Sequence, residues 1–477
     1  MQNLLKYIGK SHITNDSRII RKGDIFVAQK GISSDGHDFI EMAIQNGAAS
    51  IIHSCDLQTQ HEDVEYTKLD NTNNPHIISS ILKQFYKQPQ HITAVTGTNG
   101  KTSICYMAAE LASSIFGKSG YIGTLGFMQF ENGKIYKHNH ENDLTTPDIF
   151  TLYRNLDELS RHGIQHVFIE ASSVGIKQER MCGLDIGISC FTNFTRDHLD
   201  YHKTLEEYFH QKSRLFSELT NKNGIAILNA DDSSFAKLTE ICQTSGIKFI
   251  DYGKNAQHIT LLSFKSSLSG IEISTPLTTS PITSKLVGDF QVHNLLCVIA
   301  ILSSLGVNIR TISKHIPSIS APCGRLQKIQ NSRNLHVFVD YAHTPDALEK
   351  SITTLKNLVT ENGKMFTLFG CGGNRDTGKR PIMGKIASDL SDFVFITDDN
   401  PRLENPTQIQ NDIISGCTHN NFATYPDREI AIKIAISTLK PNDILLIAGK
   451  GHENYQIIGT KKTHFSDIEI ATKYINC

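Results

Sequence analysis

"AVTGTNGKTSICYMAAEL", residues 94–111, passes from β-branched residues through a glycine turn to a Lys-Thr pair and an apolar helical pattern. That order predicts a strand, a tight loop and a helix, with successive backbone N–H groups and the helix N-terminus able to face phosphate oxygens. The strict spacing G-x-x-x-x-G-K-[ST] would need glycine at position 95, where Val95 stands. Gly97 and Gly100 shape the turn around Thr98 and Asn99. Lys101 offers a point charge for β- and γ-phosphates, the Thr102 hydroxyl is a candidate Mg²⁺ ligand, and Ser103 opens the helix. The bland alternative is a glycine turn followed by an ordinary surface lysine.

Outward from this loop, strands and helices alternate. "HVFIEASS", "IGISCFTNFTRDHLDYH" and "GIAILNADD" read as strands with their loops, and "EEYFHQKSRLFSEL" as a helix. Such alternation predicts a mostly parallel sheet flanked by helices. "HITLLSFKSSLSGIEISTP" has period two, as in an antiparallel extension. The register restarts near Pro322, and "LHVFVDYAHTPDAL", "DFVFITDDNPR" and "DILLIAGKGHE" predict a second, doubly wound α/β domain. Before the loop, "GDIFVAQKG" and "GAASIIHS" bracket a helix ending at Gly47, and "HIISSILKQFYKQP" is a further amphipathic helix. The expected domains are 1–88, 89–322 and 323–477.

A chain of 477 residues is too long for one core. With 47 basic and 48 acidic residues, its charge balance favours neither nucleic acid nor an anionic membrane as a partner. No apolar run reaches the roughly 18 residues of a membrane span. The start lacks an adequate signal-peptide core, and ten cysteines without a C-x-x-C pair suggest reduced thiols in a cytoplasm. Cys371 has no feature of a nucleophile.

Three features look like partners of the loop. Glu170 ends the strand "HVFIE". Asn193, Asp197 and His198 follow the next strand; His198 and His202 are four apart, but neither H-E-x-x-H nor a third zinc ligand accompanies them. Lys212 shares a helix face with Tyr208, Phe209, Leu215 and Phe216. A lysine there must snorkel, pair or lose its charge. A carbamate on Lys212 would supply an anionic oxygen suited to Mg²⁺.

The motifs "TGTNGKT", "TNFTRDHLDYH", "YFHQKSRLF", "CGR", "DYAHTPDAL", "GCGGNRDTGKR", "DDNPR" and "GKGHENYQ", in this order, resemble those of the Mur ligases, ATP-dependent enzymes that build the peptidoglycan stem peptide. The resemblance covers essentially the whole chain. It implies a UDP-binding N-terminal domain, a central P-loop-type ATPase and a Rossmann-like C-terminal domain bringing the incoming amino acid. It implies that Lys212 is carbamylated and that Glu170 and His198 serve Mg²⁺. It further implies that Asn294, Arg325, Asp340 and His343 reach ATP. The UDP-muramoyl dipeptide would meet Ser17, His37, Thr145, Thr146, Ser172, Gln178 and Arg180. The family usually has His at Val174, Asn at Gln291 and Asp at Ser466. The implied reaction is amide formation through an acyl phosphate, with closure aligning substrates that arrive on different domains, in a monomer.

Arg402 of "DDNPR" can clamp a carboxylate in bidentate fashion, and Asp399 and Asn400, beside Pro401, can accept from an ammonium. Arg375 offers another clamp, and Glu453 with Gly449 another acceptor site. That inventory suits a substrate zwitterionic at both ends, such as meso-diaminopimelate, with which the family associates D-N-P-R. Two other readings compete: a folylpolyglutamate synthetase-like ligase, and a nucleotide-dependent switch without ligase chemistry.

Overall fold

The computed structural model describes residues 2–31, 34–138 and 144–476. By its contacts the chain divides into two compact units, Met1–Leu261 with Asn294–His315, and Leu262–His293 with Ile316–Cys477. The stretch Leu262–His293, which the sequence reading assigned to the central segment, thus groups with the C-terminal one.

The first unit opens with a four-stranded parallel sheet of β1 (Ile13–Thr14), β2 (Ile25–Val27), β3 (Ser50–His53) and β4 (Glu65–Lys68). Phe26 and Ile51 pack with Ile40 and Ala43 of the helix Ile40–Gln45 in a small core. The helix Pro75–Phe85 starts where Asn74 caps the N–H of His76 at 2.9 Å and proline occupies the first turn. It buries Ile78, Ile81, Leu82 and Phe85. At its end the Tyr86 hydroxyl accepts from the N–H of Ile13 at 3.0 Å, tying helix to sheet.

The larger sheet of this unit has nine strands: β5 (His91–Thr96), β6 (Lys118–Gly123), β7 (Gly126–Glu131), β8 (Lys134–His138), β9 (His166–Glu170), β10 (Ile186–Phe191), β11 (Thr220–Asn229), β12 (Lys248–Gly253) and β13 (Ile259–Thr260). Their order is β13-β12-β11-β10-β5-β9-β6-β7-β8, parallel except that β7 is antiparallel to both its neighbours. The buried strands are near-continuous apolar runs, as a sheet covered on both faces requires. Strand order reverses at β5, so the glycine loop leaves the sheet at its topological switch point, where open α/β sheets bind ligands.

In the second unit, β14 (Ser263–Ser267), β15 (Gly270–Ser274) and β16 (Ile282–Ser284) form an antiparallel sheet, as the period-two pattern predicted. The main sheet contains β17 (Gln327–Lys328), β18 (His336–Asp340), β19 (Met365–Phe369), β20 (Phe393–Thr397), β21 (Phe422–Tyr425) and β22 (Ile444–Ala448), in the order β17-β18-β22-β19-β20-β21. Only the edge strand β17 is antiparallel. One face packs against Leu348, Ile352, Met383 and Ile409, the other against Ile432, Ile436, Ala471 and Ile475. This is the doubly wound arrangement.

The β6–β8 meander is absent from the sequence reading above. Its hairpin turn was visible: Asn132 and Gly133, both at positive φ (52° and 72°), join two alternating strands.

Candidate active site

The loop after β5 needs its glycines. A side chain at Gly97 (φ +142°) would place Cβ 1.9 Å from Thr192 Oγ1, and one at Gly100 (φ +89°) would lie 2.8 Å from Asn294 Oδ1. Asn294, on the helix Phe290–Ser304, therefore stands against the glycine that starts the helix Lys101–Phe116. The loop is pinned from β10. Asn193 O accepts from Thr98 N at 2.8 Å, its side-chain oxygen accepts from Asn99 N at 3.0 Å, and Thr192 Oγ1 donates to Asn99 O at 2.6 Å.

Two lysines converge on one carbonyl. Lys101 Nζ donates to Gly97 O and Thr98 O at 2.9 Å each, and Lys212 Nζ donates to Gly97 O at 2.7 Å. Lys212 is 1% exposed and lies 4.5 Å from the centre of the Tyr208 ring. Burial, and next the charge of Lys101, push its pKa well below that of an ordinary lysine; Asp197 opposes them. Of the three fates open to this lysine, snorkelling is ruled out by burial. The helix carrying it, Leu205–Arg214, widens into a π turn over Leu215–Leu219, in which Leu215 and Phe216 are buried.

Glu170, fully buried at the end of β9, gathers four donors to its carboxylate. Thr102 Oγ1 donates to Oε2 at 2.9 Å and Thr124 Oγ1 to the same oxygen at 3.1 Å. Thr124 N donates to Oε1 at 2.9 Å, and the Tyr121 hydroxyl donates to it as well. Tyr121 and Thr124 lie on the overlooked meander. Glu170 and Thr102 themselves present oxygen ligand atoms, which suit a hard cation. His198 takes a left-handed backbone (φ 51°), is 47% exposed, and presents its ring 6.0 Å from that of Tyr208. His202 is buried with Nε2 on Ser173 Oγ at 2.9 Å, so it does not share a site with His198 as a metal pair would.

Several dipeptide-site candidates join this group. Thr145 Oγ1 lies 3.3 Å from Thr124 Oγ1, Thr146 Oγ1 donates to Glu170 O at 2.7 Å, and Ser172 N donates to Thr146 Oγ1 at 3.0 Å. Arg180 donates to Thr146 O at 2.6 Å and to Gln178 Oε1. Ser17 and His37 lie instead in the short 3-10 turns Ser17–Ile19 and Gly36–Phe39 between strands of the N-terminal sheet. His37 spends Nδ1 on Asp35 (2.6 Å), and Nε2 accepts from Ser54 N at 3.1 Å. Val174 stands half-buried in the helix Ser173–Lys177, with no proton to donate or accept.

In the second unit, Arg325 stacks 4.8 Å from the centre of the Tyr341 ring. Asp340, ending β18, accepts from Leu326 N at 3.2 Å and Ser351 Oγ at 2.5 Å, and His343 Nδ1 lies 2.8 Å from Tyr341 O. Beyond β20 and β22 the D-N-P-R and G-K-G-H-E loops meet. Buried Asn400 donates to Glu453 Oε2 at 3.0 Å and accepts from Lys450 Nζ at 3.1 Å and Ile457 N at 3.0 Å. Gly449 leaves room for Asp399, whose Oδ2 would sit 2.8 Å from a Cβ there. Arg402 (φ 53°) donates to Gly373 O at 3.0 Å. Arg375 is exposed on the neighbouring loop. Burial and the charge of Asp399 raise the pKa of Glu453, while Lys450 opposes them. Lys450, fully buried, carried no signal beyond its motif. Ser466 caps the helix Asp467–Ile475 through Glu469 N at 3.4 Å, the role an aspartate would fill. Gln291 is buried at the start of its helix.

Three family profiles match the chain: the Mur ligase family catalytic domain over residues 11–86, the Mur ligase middle domain over 95–302, and the Mur ligase glutamate ligase domain over 324–451. The chain belongs to the Mur ligase family. Among its relatives is a UDP-N-acetylmuramoyl-L-alanyl-D-glutamate–2,6-diaminopimelate ligase of Fusobacterium nucleatum, 40% identical over 98% of this chain and 94% of that one. The enzyme of the same description from Rickettsia conorii is 39% identical over 100% of this chain and 98% of its own. A solved structure of a diaminopimelate ligase so described superposes with a TM-score of 0.68 at 32% identity, covering 97% of this chain and 94% of that one.

Proposed function

We propose that this chain joins meso-diaminopimelate to the D-glutamate of UDP-N-acetylmuramoyl-L-alanyl-D-glutamate, with ATP converted to ADP and phosphate. It is an ATP-dependent, amide-forming ligase of peptidoglycan precursor synthesis. The observation that carries the choice of amino acid is the junction of the D-N-P-R and G-K-G-H-E loops. There, carboxylates (Asp399, Glu453) and an amide (Asn400) stand beside Arg402, matching a substrate with ammonium and carboxylate groups at each end. Lysine lacks the distal carboxylate and would leave the half-buried Arg402 guanidinium poorly matched. Arg375, Pro401 and Gly449 complete the proposed pocket.

The glycine loop, Lys101 and Asn294 hold the triphosphate, and Arg325, Asp340 and His343 serve the same nucleotide. Thr145, Thr146, Ser172, Gln178 and Arg180 hold the muramoyl dipeptide, with Ser17 and His37 toward its UDP end. The glutamate carboxylate attacks the γ-phosphoryl, forming an acyl phosphate and ADP. The amine then attacks the acyl carbon and phosphate leaves. Lys101 and Arg325 neutralise charge on the transferring group. Thr102, Glu170, a carbamylated Lys212 and His198 would hold Mg²⁺, whose chemistry is charge neutralisation on phosphoryl oxygens. A lysine kept neutral by burial is the form that reacts with CO₂. We further propose three domains with boundaries near residues 88 and 322, Leu262–His293 packing with the last of them, and a monomeric cytoplasmic enzyme. No helix among the described residues is long and apolar enough to cross a membrane.

A folylpolyglutamate synthetase-like activity leaves the sheet β1–β4 and the D-N-P-R loop without a role. A nucleotide switch needs no amino-acid pocket. The test is ADP release by the purified chain: a ligase requires both the UDP-muramoyl dipeptide and diaminopimelate, and a switch requires neither.

A further inference from the structure

Away from the ATP loop, the edge of the nine-stranded sheet carries a second cluster of metal-ligating side chains. His138 is the last residue of β8, and Glu158 and His162 come from the helix Ile149–Arg161 and its cap. Glu158 and His162 are four apart, one turn of helix, so both present toward one spot. One ligand atom from each of the three residues lies within 4.8 Å of the others. His138 Nδ1 is 2.8 Å from Glu158 Oε1, and the His138 and His162 rings stack at 5.9 Å. Phe127 stacks on His138 at 4.3 Å and fixes its ring, while His138 Nε2 is buried with no hydrogen-bond partner among the described residues. An unpaired buried imidazole nitrogen is costly unless something else accepts its lone pair.

Two cations stand beside the cluster, each with a carboxylate partner: Lys118 pairs with Glu131 at 2.9 Å and also donates to His162 O at 3.4 Å, and Arg161 pairs with Asp157 at 2.8 Å. Two imidazoles and one carboxylate form a borderline-soft donor set that fits Zn²⁺ with an open fourth position, and differs from the carboxylate and hydroxyl oxygens of Glu170 and Thr102. Zinc–ligand bonds of about 2.0–2.2 Å bring ligand atoms to roughly 3.3 Å from one another, so the observed triangle contracts when the ion binds.

We propose that His138, Glu158 and His162 form a zinc-class site that fastens the β7–β8 edge to the helix Ile149–Arg161, separate from the magnesium of the ligase reaction. Removing even an outer-shell partner of a metal ligand lowers affinity about 10–100-fold, so losing a ligand here is expected to lower it at least tenfold. The test is calorimetric titration with ZnCl₂ of untagged full-length protein, first stripped of metal and freed of chelator. One zinc per chain is expected, with affinity lowered at least about tenfold in His138→Ala and His162→Ala. Glu158→Gln keeps the side-chain shape and gives the same loss if either alanine variant misfolds. With Co²⁺ the wild type should show tetrahedral d–d absorption without a thiolate charge-transfer band. Absence of saturable zinc binding, equal affinity in the variants, or a thiolate band would overturn the assignment.

Discussion

Lys212 is the side chain of the first unit on which the proposed chemistry turns. Its amine is buried, and its pKa is lowered by desolvation and by Lys101. In the window between that lowered value and the ordinary 10.5, the unfolded chain holds a proton the folded one lacks, so this group makes stability rise with pH there. We expect Lys212→Met to flatten that rise in thermal melts across the window, and to abolish ligase turnover. Wild-type enzyme depleted of CO₂ should regain activity with bicarbonate and show a carbamate signal with ¹³C-bicarbonate; activity indifferent to CO₂ would refute the modification. At the other pocket, charge-assisted hydrogen bonds are worth about 1.5–3 kcal/mol. Arg402→Ala should therefore lower kcat/KM for diaminopimelate roughly 10–100-fold, leaving the KM for ATP near wild type. The apolar face around Lys212 was legible because helical spacing reveals it. The four donors around Glu170 were not, because Tyr121 and Thr124 reach it from a strand whose pairing no local pattern specifies.

At the scale of elements, the loop after β5 combines positive φ with crowding. Gly97→Ala forces Cβ toward Thr192 Oγ1, whose hydroxyl holds Asn99 O. Loss of measurable ATP binding is expected by titration, together with a lower melting temperature; unchanged ATP affinity would contradict the pinned loop. On the meander, Tyr121→Phe removes one donor from Glu170 while keeping the ring. The Mg²⁺ concentration for half-maximal activity should rise severalfold, and Mn²⁺ binding in the presence of ADP should weaken in parallel; unchanged metal dependence would make Tyr121 packing alone. Elements with strong periodicity, such as the helix Pro75–Phe85 and strands β5, β9 and β18, were readable from residue order. The β6–β8 meander was overlooked although its Asn-Gly turn marks a hairpin. The π turn at Leu215–Leu219 has no comparable signal, since it arises from how Leu215 and Phe216 pack.

For the whole molecule, the sequence announces strand–helix alternation and a restart near Pro322, from which sheets with ligands at their carboxyl ends follow. Which strand lies beside which does not follow: β5 sits between β10 and β9, and β22 between β18 and β19, through long-range pairings. The affiliation of Leu262–His293 with the second unit is likewise decided by packing rather than by local pattern. The account as a whole rests on coupling between ATP cleavage and the two acceptor substrates. Its most direct test measures ADP release and product mass for the purified chain given ATP, Mg²⁺, UDP-N-acetylmuramoyl-L-alanyl-D-glutamate and meso-diaminopimelate, with each component omitted in turn and L-lysine substituted in one arm. The prediction is ADP matched one-for-one by the diaminopimelate adduct and little turnover with lysine; sustained ADP release without the amino acid, or equal use of lysine, would contradict it.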